Sequence, residues 1–345
     1  MIQANRRHTI SALLALGAAA LLIWGVEDRT AEPSFHRNEG KVFGTYYTIQ
    51  YEAADDLADS IQAAFTAFDN SLSMFNPHSV ISAVNQNRDT LTNAAFEAMW
   101  AEAERVYRLS GGAFDITVAP LVNLWGFGNK GERLKVKGER IQADIDSLRE
   151  FIGFDKVQLI DHRVVKADPR MMLDAGAVAK GQSCDMIAAL LDRQGCENYL
   201  VEIGGEIVAK GHNSKGQPWH IGITRPQDDI SGTQNDLQEI LAVQDICMAT
   251  SGNYRNFYYD GEQKRSHTID PRTGYPVQHS LLSATVVSNT CMRADALATA
   301  CMVLGADDAL DMIARAGDAA SYLIVEKNDS LVVITSQNWA DLLTK

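Results

Sequence analysis

The chain has no run of Lys or Arg, no C-x-x-C, no short internal repeat, and only one apolar stretch that approaches a membrane span in length. Each shortage excludes a class of protein. With 31 Lys and Arg against 44 Asp and Glu, the formal net charge is -13. Without a cationic face nothing displaces counterions from a phosphate backbone, so nucleic acid is excluded as a partner. A polyanionic small molecule is not excluded, because a bound metal ion and a few donors can offset its charge locally. The cysteines Cys184, Cys196, Cys247, Cys291 and Cys301 stand far apart, and their odd number leaves at least one thiol unpaired within a monomer. Zinc and dithiol redox sites lack their usual spacing. Cys184 and Cys301 fall inside apolar helical patterns, as small core residues do. At 46% hydrophobic and 22% charged residues, the balance is that of a globular protein, not a disordered or fibrous one.

At the N-terminus, Arg6, Arg7 and His8 precede the apolar stretch 10–26, which Glu27, Asp28 and Arg29 close. This order marks export. The stretch is longer than many signal-peptide cores yet short of the ~20 residues that cross a bilayer comfortably. Residues 1–30 therefore read as a cleaved signal or as an inner-membrane anchor of a periplasmic protein. A basic leading region explains the arginine pair without a twin-arginine signal, and no Cys follows for lipid attachment. Residues 31–41, around Pro33, read as a linker, and the folded domain is expected over 42–345.

Val42 to Tyr51 alternates as a strand does. Helices are expected from the stripes Leu57, Ile61, Phe65, Phe68 and Phe96, Met99, Trp100, Ala103, Val106. Lys156 to Ile160, Val164 to Ala167 and Met171 to Leu173 read as short strands, then a helix runs from Ala179 to Gln194 and stops at Gly195. Gly204-Gly205 signals a hairpin between Tyr199–Ile203 and Glu206–Lys210. Trp219 to Thr224 is a further strand, and 226–236 a surface loop. Strands near Arg265 to Ile269 and Leu282 to Ser288, helices 293–304 and 307–316, and two closing strands complete an α+β fold with antiparallel sheets.

Five segments carry candidate chemistry. In 174–181, Lys180 falls in the first turn of a helix, where the dipole already presents positive charge; an anion held between Lys180 and the free amides explains it, as does an outward lysine with Asp174 capping locally. Asp295 and Thr299 stand four apart in an apolar helix, so their oxygens share a face. They suit a hard cation such as Mg²⁺, or Asp295 complements the helix dipole. His267, at a strand end before the Asp270-Pro271 turn, has the chemistry of a general base or of an ordinary polar group. In 110–120, glycines, Ala113, Phe114 and Asp115 form a loop that either admits a ligand against its backbone or fills the core, and Trp125 and Phe127 read as core. Phe75 either stacks on a ring or packs inside.

Taken in order, Gly44-Thr45, 75–85, 112–120, 125–128, 174–181, Gly204-Gly205, 251–255, 267–276 and 294–299 resemble the motifs of the ApbE-type flavin transferases, the FAD:protein FMN transferases. The resemblance covers nearly the whole exported region. It implies a T-fold-like architecture with FAD in a cleft between two parts of the molecule. It also implies an FAD site of Phe43, Phe75, Ala113, Phe114, Asp115, Asp174, Lys180 and Ile269, and Mg²⁺ on the main-chain oxygen of Ala177 and the side chains of Asp295 and Thr299. Phe43 replaces a frequent Met and Phe75 a frequent Tyr, so stacking survives and a hydroxyl contact is lost at position 75. The implied reaction joins FMN through its phosphate to a Thr or Ser of an acceptor flavoprotein, with His267 or Asp270 as base and AMP released. The family suggests that the acceptor is a subunit of a membrane redox complex. A Mg²⁺-dependent FAD pyrophosphatase and a flavin carrier without turnover are the alternatives.

Overall fold

A computed structural model describes residues 33–128, 139–228, 236–254 and 256–343. The leader and most of the expected loop 226–236 lie outside the described residues. Strands β1 (Ser34–Val42) and β2 (Thr45–Ala53) form a hairpin, followed by helices α1 (Ala58–Leu72), α2 (Val80–Asn85), α3 (Ala94–Leu109), α4 (Ala119–Leu124) and α5 (Glu139–Arg149). The ribbon β3 (Val157–Ile160) and β4 (Arg163–Lys166) leads to α6 (Ala179–Arg193), the hairpin β5 (Tyr199–Ile203) and β6 (Glu206–Lys210), and a ribbon of β7 (Trp219–Thr224) and β8 (Leu237–Val243). Next come β9 (Ile246–Gly252), the ribbon β10 (Phe257–Asp260) and β11 (Gln263–Ser266), and β12 (Leu281–Ser288). Helices α7 (Cys291–Leu304) and α8 (Ala306–Ala316), strands β13 (Ala319–Lys327) and β14 (Ser330–Thr335), and α9 (Trp339–Leu343) end the described chain.

One eight-stranded sheet, ordered β1-β2-β5-β6-β9-β12-β13-β14, organises the molecule, and its pairings are antiparallel throughout. Successive side chains of a strand face opposite sides, so each central strand feeds two cores. Ala249, Val286 and Leu323 point to the helices. Their neighbours Met248, Val287 and Tyr322 meet Trp219 and Ile221 of the β7–β8 ribbon and Trp339 of α9. The fold class is the expected mixture of helices with antiparallel sheet.

Helix α7 lies on β9 and β12 and is enclosed by α3, α6 and α8. Eleven of its 14 residues are buried, as an apolar helix without a polar face must be. Its first turn is held from three directions. Thr290 caps Arg293 N at 3.2 Å. Asp185 of α6 accepts from Cys291 N and Met292 N, each at 2.8 Å. The buried Arg293 guanidinium reaches Glu102 of α3 at 2.9 Å and Asp318 at 2.8 Å.

Several expectations change. Most of the segment expected to be a linker is strand, because Phe43 and Gly44 take positive φ of 51° and 77° and close a two-residue turn that pairs Ser34–Val42 with β2. Its polar sequence, typical of an exposed edge strand, hid it. Met171 to Leu173 is not a strand: the Asn85 side chain takes both backbone groups of Leu173, at 2.7 Å and 2.8 Å, in place of a strand neighbour. The strand expected through Ile269 ends at Ser266. Ile269 then meets Pro276 in an isolated bridge, since proline offers no N–H to continue a ladder.

Candidate active site

The first turns of α6 and α7 meet head to head. Helix α6 has no side-chain cap at Val178, so its leading amides need other acceptors. One is Asp295 of α7, whose Oδ2 accepts from Gly181 N at 3.0 Å. Glycine is required there by close approach: a Cβ on Gly181 would stand 2.3 Å from the Cys291 carbonyl oxygen. One helical turn beyond Asp295, the Thr299 hydroxyl lies 3.2 Å from that of Ser251 on β9.

A cavity of about 550 Å³ opens beside this junction. Lys180, in the first turn of α6, forms an ion pair there with Glu206 at the start of β6. Burial opposes charge on Lys180, but Asp295 and Glu206 outweigh it and raise its pKa. Burial raises the Glu206 carboxyl, Lys180 opposes that rise, and Asp295 adds to it. Glu206 is 1% exposed and its Oε2 has no hydrogen-bond partner, a costly state for a carboxylate oxygen. Burial likewise raises Asp174 against one bond from Gly176 N. It raises Asp115 against three bonds, from Thr117 N, Thr117 Oγ1 and Phe154 N.

His267 also lines the cavity. Its Nδ1 is 3.2 Å from the Asn256 carbonyl oxygen, and a carbonyl only accepts, which puts the proton on Nδ1 and leaves the Nε2 lone pair free. Burial lowers its pKa; the Asn256 bond opposes that shift and Lys180 reinforces it. A neutral imidazole follows at neutral pH.

The cavity brings together Phe75, Ala113, Phe114, Asp115, Asp174, Ala177, Lys180, His267, Ile269, Asp295 and Thr299 from segments far apart in the chain. Phe75, at 74% exposed, is an uncovered ring. Two candidates stand apart. Phe43 packs its ring on Phe65 and Phe68, with centroids 5.7 Å and 5.3 Å away. Asp270 is bound to Arg272 through its main-chain N, Nε and a terminal guanidinium nitrogen, each at 2.9 Å, which commits its carboxylate to the turn. Sequence reasoning missed Glu206 as a functional group. Its signal was available: one acid after Gly204-Gly205, opening the otherwise apolar run Ile207-Val208-Ala209.

Among the described residues, no three His, Cys, Asp or Glu side chains cluster as metal ligands. Ala177, Asp295 and Thr299 instead line one cavity, where a main-chain carbonyl, a carboxylate and a hydroxyl are the oxygens they could offer. Hard oxygens with room for substrate phosphate and water are what Mg²⁺ takes. The partnerless Glu206 oxygen and the adjacent Asp295 add negative potential that favours a cation. The residues present fit the ion.

Residues 43–323 match the model of the ApbE family. The chain is 33% identical to the FAD:protein FMN transferase of Haemophilus influenzae, over 97% of this chain and 98% of that one. It is 34% identical to the FAD:protein FMN transferase of Salmonella typhimurium, over 90% and 91% of the two chains. Among solved structures, the flavin transferase ApbE of Vibrio cholerae aligns with a TM-score of 0.79 at 34% identity, covering 90% of this chain and 99% of that chain. The apo flavinyl transferase ApbE of Pseudomonas stutzeri also gives 0.79, at 29% identity, covering 91% and 98%.

Proposed function

The chain belongs to the ApbE family, and from that premise we propose that it transfers the FMN half of FAD to a Thr or Ser hydroxyl of an acceptor flavoprotein. The observation that carries this reading is the convergence of Lys180, Asp295, Thr299 and His267 on one cavity beside the exposed ring of Phe75. A diphosphate needs positive groups and amide donors, and Lys180 stands where the first turn of α6 supplies both. A flavin needs an apolar surface, and Phe75, Phe114 and Ile269 offer one. Mg²⁺ would be held by the Ala177 carbonyl, Asp295 and Thr299, and when bound it neutralises diphosphate charge.

The acceptor oxygen attacks the FMN-side phosphorus, forming a P–O bond to the acceptor. The bond to the AMP phosphate breaks, and AMP leaves with the electron pair. His267 Nε2 takes the hydroxyl proton. Lys180 holds the diphosphate oxygens as negative charge moves onto the leaving phosphate. Asp270, committed to Arg272, is less suited to the base role than His267.

Export, attachment to the inner membrane through 10–26, and an acceptor within a membrane redox complex complete the proposal. The leader sequence supports export and attachment, and the family resemblance suggests the acceptor. Co-expression with a candidate acceptor, followed by mass spectrometry, tests the whole: an FMN adduct on Thr or Ser is expected and should vanish with Asp295→Ala. FMN and AMP released with no adduct would instead mark a pyrophosphatase, and intact FAD a carrier.

A further inference from the structure

Lys180 is the only Lys or Arg among the described residues lining the cavity, which four acidic residues, Asp115, Asp174, Glu206 and Asp295, also line. An anionic ligand therefore enters an acidic site. The lysine that should receive it is already engaged, because its ammonium donates to Glu206. Glu206 is buried, and its second oxygen has no partner. The Lys180–Glu206 pair has no net charge, and Asp295 beside it leaves the floor negative. Bare diphosphate gains little there, since pairing with Lys180 means leaving the buried Glu206 uncompensated.

We propose that Glu206 makes diphosphate binding conditional on a divalent cation: it occupies Lys180, so that FAD binds only together with the ion. This rests on the reading above that FAD is the ligand of the cavity. Glu206 is thus a specificity-determining residue that acts through Lys180, the group it pairs with. A cation on the Asp295 side reverses the sign of the floor, and the diphosphate can then share Lys180 without stranding Glu206. Cation and dinucleotide consequently bind with positive coupling, each raising the affinity for the other by the same factor.

The test measures FAD binding to the full chain by quenching of flavin fluorescence, in excess EDTA and in Mg²⁺. Chelation should weaken binding to the wild type about 100-fold, near the upper end of ordinary coupling. In Glu206→Gln the ratio should shrink to less than about 10-fold, and the change should come from tighter binding in EDTA. A purely structural role for Glu206 would weaken binding under both conditions; freeing Lys180 alone strengthens it without the ion. The gain should disappear in the double variant Lys180→Met with Glu206→Gln. Glu206→Ala carries the same expectation where circular dichroism shows the amide variant unfolded. If the wild type binds FAD with Mg²⁺ and the Glu206 variants keep the full cation requirement, the role of Glu206 is refuted and the function stands. If the wild type binds FAD under neither condition, both fall.

Discussion

Replacing Gly181 by alanine would put a Cβ 2.3 Å from the Cys291 carbonyl oxygen, 2.6 Å from its carbon and 2.8 Å from Met292 N. All three obstacles are backbone, in a turn pinned by Thr290, Asp185 and Arg293, so α6 and α7 must part. Overpacking of this kind costs about 1–3 kcal/mol. Separation also weakens the 3.0 Å bond from Gly181 N to Asp295, and a hydrogen bond to a charged group contributes about 1.5–3 kcal/mol. Alanine's better helix propensity returns about 1 kcal/mol. The expected net loss is about 3 kcal/mol, from the sum of these effects. Urea denaturation followed by tryptophan fluorescence should show a lower midpoint with an unchanged slope. FAD affinity in Mg²⁺ should fall as well, because Asp295 moves with the junction. A stability change below about 0.5 kcal/mol, the range of a neutral surface substitution, would refute the close-approach argument.

Three further outcomes are expected. Arg293→Ala removes the closer partner of the buried Glu102, leaving it, among the described residues, the mostly exposed Arg105 at 3.5 Å, and should cost about 3 kcal/mol in the same denaturation assay. Burial raises Asp185 from 3.8 to about 6, so the folded state binds that proton more tightly than the unfolded chain. Its stabilising contribution is full below the unfolded value and is lost as pH rises through the folded one. Asp185→Asn should lack that component, and the unfolding free-energy difference between variant and wild type should drift across this interval; a constant difference would contradict the assignment. His267→Ala should slow FMN transfer by about 10²–10⁴-fold while FAD binding persists, and undiminished transfer in a single-turnover assay would remove His267 as the base.

How far the sequence could be read depended on how local the governing physics was. Helix α3 was legible from its strong apolar stripe, α6 because Gly195 marks its end, and the β5–β6 hairpin because Gly204-Gly205 fits a two-residue turn. Asp295 and Thr299 could be placed on one face by helical spacing alone. Met171 to Leu173 was misread because a side chain 88 residues away, Asn85, supplies its hydrogen bonds. Strand β9 gave little signal: Cys247, Met248 and Ala249 lack β-branching, and it is strand because β6 and β12 flank it. Glu206 was passed over as a strand residue, since only the fold shows that Lys180 meets it. Asp270 attracted attention for its place beside His267, yet Arg272 two residues on claims its carboxylate.

Helix α7 has almost no face toward water, which has a consequence for what can move during turnover. Amides in such a segment exchange only when the whole molecule opens, so Asp295 and Thr299 behave as a fixed keel. A bulky protein acceptor must instead be admitted by the rim, where Phe75 projects uncovered. Fitting different acceptors thus becomes a matter of altering that lip, with the keel left untouched.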